Sequence, residues 1–308
     1  MKILKKIVLT FLVILVLAVL GGYIYFDQKF TPEKNYLVVD NESGFIPFKW
    51  LGSKKNALLL PVHFSNDTIT YYLQFDTGSP YTVFYSNSIK KISQISINKE
   101  LAKTSFYIGK TKITSDKFKI YNHGNDNNNN NNNNDSIKLI GTIGADILEN
   151  RKTIINFKEN YIALNLSKVP SQFQTKLFDF KFRKRKIIIR GFLKGKEEKF
   201  LFDSGTSAYE LLTNKEIWKN LKLTNSKINI EKSQSWNNVL ITFTANCNQK
   251  LKFDTQEIPL NNVTYVEGFS QVQYSMMKFS GMTGMLGNKI FLNNGLYIDC
   301  IQNKIGIE

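Results

Sequence analysis

The sequence has little cysteine and little histidine. Its 308 residues include two cysteines and two histidines, namely Cys247, Cys300, His63 and His123. None has the spacing of a zinc site, and neither histidine lies beside a candidate nucleophile, so serine–histidine and cysteine–histidine chemistry are poorly supported. We therefore expect no metal and no cofactor. In an exported protein the cysteines could form a disulfide, although two separate buried thiols fit the sequence equally well.

Acidic residues are also scarce, with 25 Asp and Glu against 41 Lys and Arg and a net charge of +16. We expect no nucleic-acid partner, because the lysines are spread along the chain with Asn and Ile between them. A solvated basic surface, which would suit a position near an anionic membrane, is the better explanation. The basic run at residues 181–186 is interpreted as a solvated connection, and binding of acidic substrates or lipid headgroups is the alternative.

Long apolar runs are absent except for residues 7–26, which follow three lysines, Lys2, Lys5 and Lys6. About 20 apolar residues suffice to cross a bilayer. We therefore predict a single-pass membrane anchor at residues 1–30, followed by a polar tether at 31–44. A cleaved signal peptide is the alternative, with a poor cleavage site at 18–22. The positive-inside rule places the N-terminus in the cytoplasm and the rest on the exported side, whether periplasmic, extracellular or lumenal.

The remaining chain has a β pattern. Short runs rich in β-branched and aromatic residues alternate with turn residues, which predicts an all-β fold with a few short helices. The clearest helical segment is residues 213–221, with Thr213 or Asn214 as its cap. The asparagine run at residues 127–134 cannot bury apolar surface and predicts a disordered loop.

Two elements of the sequence occur twice. Residues 75–79, Phe-Asp-Thr-Gly-Ser, return as residues 202–206, Phe-Asp-Ser-Gly-Thr, each between β-type apolar runs. Residues 141–150 align without a gap on residues 284–293, and a similar hairpin follows each copy. An aspartate turn followed by a glycine element thus occurs once in each half, which indicates an internal duplication.

Each half supplies one carboxylate, Asp76 or Asp203, and matching turns can meet across an approximate twofold axis. Two like charges a few ångströms apart cannot both ionise cheaply, so one pKa falls and the other rises. Such a pair can take a proton from water with one carboxylate and protonate a peptide carbonyl with the other. These residues are the candidate catalytic groups.

Neighbouring residues would support this pair. Gly78 and Gly205 would permit close approach of the two turns, and the hydroxyls of Ser79 and Thr206 would hydrogen-bond and orient the carboxylates. The predicted supporting residues are Thr77, Gly78, Ser79, Ser204, Gly205 and Thr206.

The two aspartate motifs resemble, position by position, the signatures of the pepsin-like aspartic peptidases, and the last segment of the chain resembles the end of that family. The resemblance covers about residues 45–308. It implies two β-rich lobes with double-ψ barrels, residues 45–174 and 175–308, and a polypeptide substrate bound extended in the cleft between them. It also implies that Ile143-Gly144 and Leu286-Gly287 pass behind the two catalytic turns.

The same resemblance implies a flap, a hairpin whose tyrosine closes over substrate. Tyr107 and Tyr121 lie in the right interval, and Tyr107 is favoured because its neighbours have a hairpin pattern. The two aspartates are closer in sequence than resemblance to pepsin itself would suggest, so we expect a compact member with trimmed loops.

The sequence therefore predicts a monomeric, membrane-anchored aspartic endopeptidase. A catalytically silent pepsin-like protein that binds peptides at the cell envelope is the alternative. An adhesin or envelope structural protein would leave the duplicated carboxylates unexplained.

Overall fold

The computed structural model describes residues 2–124, 137–235, 238–269, 274 and 280–308. The predicted asparagine loop at 127–134 lies outside the described residues. The chain divides into two compact units, Met1–Lys34 and Asn35–Glu308.

The first unit consists mainly of one helix, α1, at Lys2–Lys29. An 18-residue window of this helix has a mean hydropathy of 2.8. At 1.5 Å per residue the helix is about 42 Å long, which exceeds the roughly 30 Å of hydrocarbon in a bilayer. By length and composition α1 can therefore cross a membrane, and a signal sequence near the N-terminus would pass the same test.

The second unit is mostly β, with two sheets and few short helices, as the sequence predicted. Its strands in the first half are β1 Val38–Asp40, β2 Ile46–Pro47, β3 Lys49–Leu51, β4 Ala57–Val62, β5 Tyr71–Phe75, β6 Val83–Tyr85, β7 Ser96–Asn98, β8 Leu101–Ile108, β9 Thr111–Tyr121, β10 Leu139–Ile143, β11 Lys152–Asn156 and β12 Tyr161–Ala163. Those in the second half are β13 Leu177–Arg183, β14 Lys186–Leu193, β15 Lys196–Phe202, β16 Leu211–Thr213, β17 Asn229–Ser235, β18 Asn238–Phe253, β19 Gln256–Glu267, β20 Gly284–Leu286, β21 Gly295–Asp299 and β22 Lys304–Ile307. The short helices are α2 Ser86–Ile89, α3 Lys215–Leu221 and the 3₁₀ segments Ala145–Leu148, Ser171–Phe173, Ser204–Thr206 and Asn288–Phe291.

Each half contains the same arrangement of four strands around its aspartate turn. In the first half β10 lies between β5, to which it is parallel, and β6, to which it is antiparallel, and β6 is parallel to β9. In the second half β20 lies in the same way between β15 and β16, and β16 is parallel to β19. The duplication inferred from the sequence is therefore present in the strand pairing.

The two halves also share a sheet. Among the described residues, one sheet has nine strands, all from the first half, whereas the thirteen-stranded sheet of the second half also contains β2, β11 and β12. The junction is the antiparallel pairing of β11 with β21, from Lys152 opposite Asp299 to Asn156 opposite Gly295. The halves are thus joined by main-chain hydrogen bonds as well as by side-chain packing.

The folded unit begins earlier than the sequence predicted. Residues 31–44, predicted as a tether, include β1, which pairs with β9. The Asn35 Nδ2 group donates to the Asp146 carbonyl at 2.8 Å, and Leu37 and Val39 pack against the core. The ladder with β9 and the apolar side chains at alternate positions 37 and 39 thus attach this segment to the folded unit.

Contacts between aromatic side chains make the hydrophobic core continuous between the two halves. Phe157 of the first half stacks against Phe291 of the second at 6.4 Å between ring centroids, and Phe291 contacts Phe202 at 5.6 Å. Cys247 and Cys300 are both buried and unpaired. Packing and hydrogen bonds, without a disulfide, therefore hold the second unit together.

Candidate active site

The first aspartate turn follows β5 and rests on β10. The Asp76 amide donates to the Ile143 carbonyl at 2.9 Å. The amides of Gly78 and Ser79 in turn donate to Asp76 Oδ1 at 2.8 and 3.2 Å. Amide donors aimed at a carboxylate fix its position and stabilise its ionised form.

The second turn repeats this construction after β15. The Asp203 amide donates to the Leu286 carbonyl at 2.9 Å, and the Gly205 amide donates to Asp203 Oδ1 at 2.9 Å. Gly144 and Gly287 follow β10 and β20, and a Cβ at either would overlap the main chain of the loop after the neighbouring aspartate. The two glycine elements thus lie behind the turns, as the resemblance to aspartic peptidases implied.

The two turns meet at their glycines. A Cβ at Gly78 would lie 2.5 Å from Asp203 Oδ1, and a Cβ at Gly205 would lie 2.5 Å from Asp76 Oδ1. Real side chains do not approach so closely, so each glycine makes room for the carboxylate of the opposite half. The structure therefore brings Asp76 and Asp203 together as the duplication predicts.

Four hydrogen bonds made by Thr77 and Ser204 join the turns, and two of them run directly between these residues. The Thr77 amide donates to Ser204 Oγ at 2.9 Å, and the Ser204 amide donates to Thr77 Oγ1 at 2.9 Å. The two hydroxyls donate onward, Thr77 to the Phe202 carbonyl at 3.0 Å and Ser204 to the Phe75 carbonyl at 2.9 Å. Sequence reasoning named both residues as support but missed this reciprocal contact, which depends on a hydroxyl at the same position of each motif.

The hydroxyls of Ser79 and Thr206 have different partners from those predicted. Ser79 Oγ donates to the Tyr81 carbonyl at 2.8 Å, and Thr206 Oγ1 donates to the Asp203 carbonyl at 2.9 Å. Both therefore stabilise the main chain of the turns, while amides orient the carboxylates. The reason is local: a hydroxyl this close in sequence reaches a turn carbonyl more easily than the carboxyl group.

The two carboxyl groups titrate as a pair. Burial raises the pKa of Asp76, which amide hydrogen bonds and a hydrogen bond with Asp203 oppose. Burial, and after it the negative charge of Asp76, raise the pKa of Asp203 to about 7. Asp76 thus ionises first and Asp203 keeps the shared proton. Each residue retains some exposed surface, so water can reach the pair.

Arg185 is a further residue of this region and comes from the basic run at 181–186. It is 4% exposed, unlike the solvated connection predicted there. Its Nε and Nη2 atoms donate to Glu149 Oε2 at 3.2 and 3.1 Å, and Nη1 donates to the Pro80 carbonyl at 3.2 Å. The guanidinium lies 5.2 Å from the centroid of the Tyr81 ring. A hairpin of the second half therefore holds the loop that follows the first aspartate turn.

Asp146 is a buried carboxylate behind the same loop. Its two oxygens accept from the amide and the hydroxyl of Thr82, both at 2.7 Å. Burial raises the pKa of Asp146 to about 6 despite these bonds and the nearby charge of Arg185. Because both carboxylate oxygens are engaged within the protein, its geometry is that of a structural group.

The two candidate flap tyrosines lie in the long strands of the first half. Tyr107 pairs with His63 through main-chain bonds of 2.8 and 3.0 Å. Leu58 of β4 lies opposite Phe75, the residue before Asp76. Leu58 is five residues from His63, or about 17 Å at strand spacing. Tyr107 is therefore at the end of β4 remote from Asp76. Tyr121 lies opposite Tyr85, whose pKa is raised by burial and also by the charge of Asp76.

Within the described ranges, no group of three or more His, Cys, Asp or Glu side chains could hold a metal ion. The histidines lie apart: His63 forms the bridge with Tyr107, and the ring of His123 meets that of Tyr85 edge-on at 4.8 Å. The titratable side chains that the paired turns bring together are the carboxyl groups of Asp76 and Asp203.

Comparison with known proteins identifies one with a similar fold. No protein-family model and no curated protein matches the sequence. The crystal structure of aspartic proteinase from Irpex lacteus matches 87% of this chain and 97% of its own, with a TM-score of 0.50 and 11% identity. The protein shares the fold of an aspartic proteinase. At this identity the likeness establishes the fold alone, and the chemistry has to be argued from the two turns.

Stability is expected to fall between pH 4 and pH 7, partly through Asp203. Because its pKa is raised to about 7, the native protein binds more protons in this range than the unfolded chain, and the free energy of unfolding decreases as pH rises. Asp203→Asn removes this contribution and flattens the profile of melting temperature against pH in detergent. Asp146 contributes in the same direction and remains. Asp116→Asn, at an exposed position, is the control; a wild-type slope in Asp203→Asn would contradict the prediction.

Arg185→Ala is expected to lower the free energy of unfolding by about 3 kcal/mol, near the low end for breaking a buried ion pair because Glu149 is partly exposed. Arg185→Lys keeps the charge but lacks the planar guanidinium group. Its free energy of unfolding should therefore lie between those of the wild type and Arg185→Ala. Denaturant unfolding in detergent measures both. The control is Arg183→Ala, an exposed position on the same hairpin. Equal losses at 183 and 185 would show that the buried contacts of Arg185 contribute nothing particular.

Proposed function

We propose that the protein is an aspartic endopeptidase that hydrolyses peptide bonds with a water activated between Asp76 and Asp203. The observation that carries the proposal is the reciprocal packing of the two turns. A Cβ built on the glycine of either turn would lie 2.5 Å from a carboxylate oxygen of the opposite turn. The aspartic proteinase fold agrees with it. Both motifs keep the aspartate, the glycine and the hydroxyl between them.

We assign the roles in the free protein from the amide hydrogen bonds to each carboxylate and from the effect of the Asp76 charge on Asp203. Asp76, which accepts two amide hydrogen bonds and ionises first, takes a proton from the water. Asp203, which holds the shared proton, gives it to the carbonyl oxygen as the water oxygen bonds to the carbonyl carbon. The tetrahedral intermediate is then neutral. Its collapse breaks the carbon–nitrogen bond: the proton held by Asp76 passes to the leaving amine, and one hydroxyl of the intermediate returns its proton to Asp203, which restores the starting pair.

The proposed substrate is an extended polypeptide bound between the two halves. Because one chain supplies both carboxylates, a monomer is sufficient and no cofactor is needed. The proposed location is a membrane, with α1 as an uncleaved anchor. Its lysine-bearing end would remain cytoplasmic and residues 35–308 would face the exported side.

Asp76→Asn and Asp203→Asn are each expected to lower kcat for cleavage of a denatured protein by at least about 100-fold, since each removes one partner of general acid–base catalysis. Wild-type activity should decline above about pH 7, as Asp203 loses its proton. The exposed-site variant Asp116→Asn serves as the control and should keep full activity. Full activity in both dyad variants would overturn the mechanism. A wild type that binds peptides but cleaves none between pH 3 and pH 8 would indicate the silent binding protein.

The anchor has a separate test. A protein tagged at its N-terminus should retain the tag, resist extraction by salt and dissolve in detergent, because about 20 apolar residues remain in the bilayer. A matched variant with Leu12→Arg and Leu15→Arg should lose membrane retention. Mature protein without the tag would show that α1 is a cleaved signal sequence, and release of the tagged protein by salt alone would exclude spanning.

A further inference from the structure

The strand pairing shows which side chains share a face with the two aspartates. Successive side chains in a strand point to opposite faces, and residues paired across neighbouring strands point to the same face. Phe75 and Phe202, which directly precede the aspartates, are buried in the hydrophobic core. The Asp76 amide continues the ladder to the Ile143 carbonyl, and Asp203 has extended φ and ψ angles of −132° and 97°. Both carboxylates therefore point to the face opposite these phenylalanines.

Three polar side chains lie on the face of Asp76 in the first half. Gln74, two residues before Asp76, pairs with Thr142 of β10. Thr142 also pairs with Val83 of β6, which puts Tyr85, two residues further on, on the same face. The hydroxyls of Tyr85 and Thr142 are 2.7 Å apart and form a hydrogen bond. We call Gln74, Tyr85 and Thr142 the polar face.

The polar face lies close to Asp76 and has unused hydrogen-bonding groups. Burial raises the pKa of Tyr85, and the charge of Asp76 raises it as well. The Tyr85 and Thr142 hydroxyls have two donor hydrogens, of which the bond between them uses one. Among the described residues, these hydroxyls have no further hydrogen-bond partner and the Gln74 side chain has none. Because Tyr85 and Thr142 are only 6% and 5% exposed, a substrate group that pairs with them would supply hydrogen bonds that solvent supplies poorly.

The corresponding face of the second half is apolar. Met285 has the place in β20 that Thr142 has in β10, directly before the residue whose carbonyl accepts from the aspartate amide. It pairs with Leu201, two residues before Asp203, and with Leu212 of β16. Leu201 and Leu212 are buried, and Met285 is half-buried. We call Leu201, Leu212 and Met285 the apolar face.

The duplication therefore puts unlike side chains at equivalent positions. The residue two before the aspartate is Gln74 in one half and Leu201 in the other, and the residue in the neighbouring strand is Thr142 or Met285. The turns pack reciprocally, so the two halves are related by an approximate twofold axis that passes between the carboxylates. A peptide bond held there lies near this axis, and the substrate chain extends from it in opposite directions. One flanking side chain accordingly meets the polar face, and the other meets the apolar face.

We propose that the polar face binds an uncharged hydrogen-bonding side chain and the apolar face binds an apolar side chain, one on each side of the scissile bond. The inference rests on the proposed peptidase function and adds its substrate class. The preferred bond then joins asparagine, glutamine, serine or threonine to leucine, isoleucine, methionine or phenylalanine. Acidic side chains are disfavoured at the polar face, because the ionised Asp76 lies beside it.

Four peptides that differ only in the two residues of the scissile bond test this specificity. The pairs are asparagine–leucine, leucine–asparagine, leucine–leucine and asparagine–asparagine, and mass spectrometry of the products confirms which bond is cut. For the full chain in detergent, kcat/KM for the better mixed peptide should exceed that for either uniform peptide at least about tenfold, because a site built for hydrogen bonds rejects a side chain that leaves its groups unpaired.

The matched variant is Gln74→Leu/Tyr85→Phe/Thr142→Val, which removes the polar groups with little change in side-chain volume. Its preference for the mixed peptide should fall at least about tenfold, and it should cleave the leucine–leucine peptide best. The control is Thr114→Val, at a half-buried position of β9, which should keep the wild-type preference. Melting temperatures identify the folded variants. If the triple variant does not fold, Tyr85→Phe alone should reduce the preference, and the wild-type comparison needs no variant.

Analogues of the same four peptides, with a hydroxyethylene group in place of the scissile amide, measure binding without cleavage. If the mixed analogue binds best but no peptide is cleaved, the two faces stand and the peptidase proposal fails. If the four peptides are cleaved equally, or a uniform peptide is cleaved best, the peptidase stands and the assignment of the faces fails. A preference that persists unchanged in the folded triple variant would also overturn the faces. A wild type that neither binds nor cleaves any of the four would overturn both proposals.

Discussion

The reciprocal hydrogen bonds between Thr77 and Ser204 are the contact on which the candidate site depends. Two carboxyl groups in contact repel once both ionise, and each would be better solvated in water. The turns therefore have to be held together by other interactions. Four hydrogen bonds among fully buried groups do this, and removal of one hydroxyl would leave a buried amide of the opposite turn without its acceptor. The carboxylates can share a proton because residues beside them fix their separation.

The same principle extends outward, since each turn is also fixed by the opposite half. The loop after the first turn is held by Arg185, from a hairpin of the second half. The loop after the second turn is held by Ser207, which donates to the Lys55 carbonyl of the first half and accepts from Asn288 Nδ2. The duplication is thus symmetric in its strands but not in these supports. One side uses a buried charge, and the other uses neutral hydroxyl and amide groups.

The sequence predicted those features that are local or repeated. Comparing residues 75–79 with 202–206 identified the carboxylates and the need for glycine, because few residue types fit so tight a turn. A helix cap at Thr213 or Asn214 was also predicted, and the cap is Asn214, whose side chain accepts from the Ile217 amide. The burial of Arg185 was not predictable, because the sequence of residues 181–186 is basic throughout most of its length and only tertiary packing distinguishes one arginine from its neighbours. The partners of Ser79 and Thr206 and the sharing of β11 with the second sheet likewise depend on contacts that no single segment encodes.

The proton shared by the carboxylates is set by this local structure rather than by the overall charge. A net charge of +16 should favour ionised carboxylates, yet the pKa values of both aspartates are raised. Surface lysines act through water and salt, which screen charges beyond about 10 Å. Burial and the opposite carboxylate act at contact distance, so they dominate. The pH range in which one proton is shared therefore belongs to the two turns and the residues that fix them, and the basic surface has little influence on it.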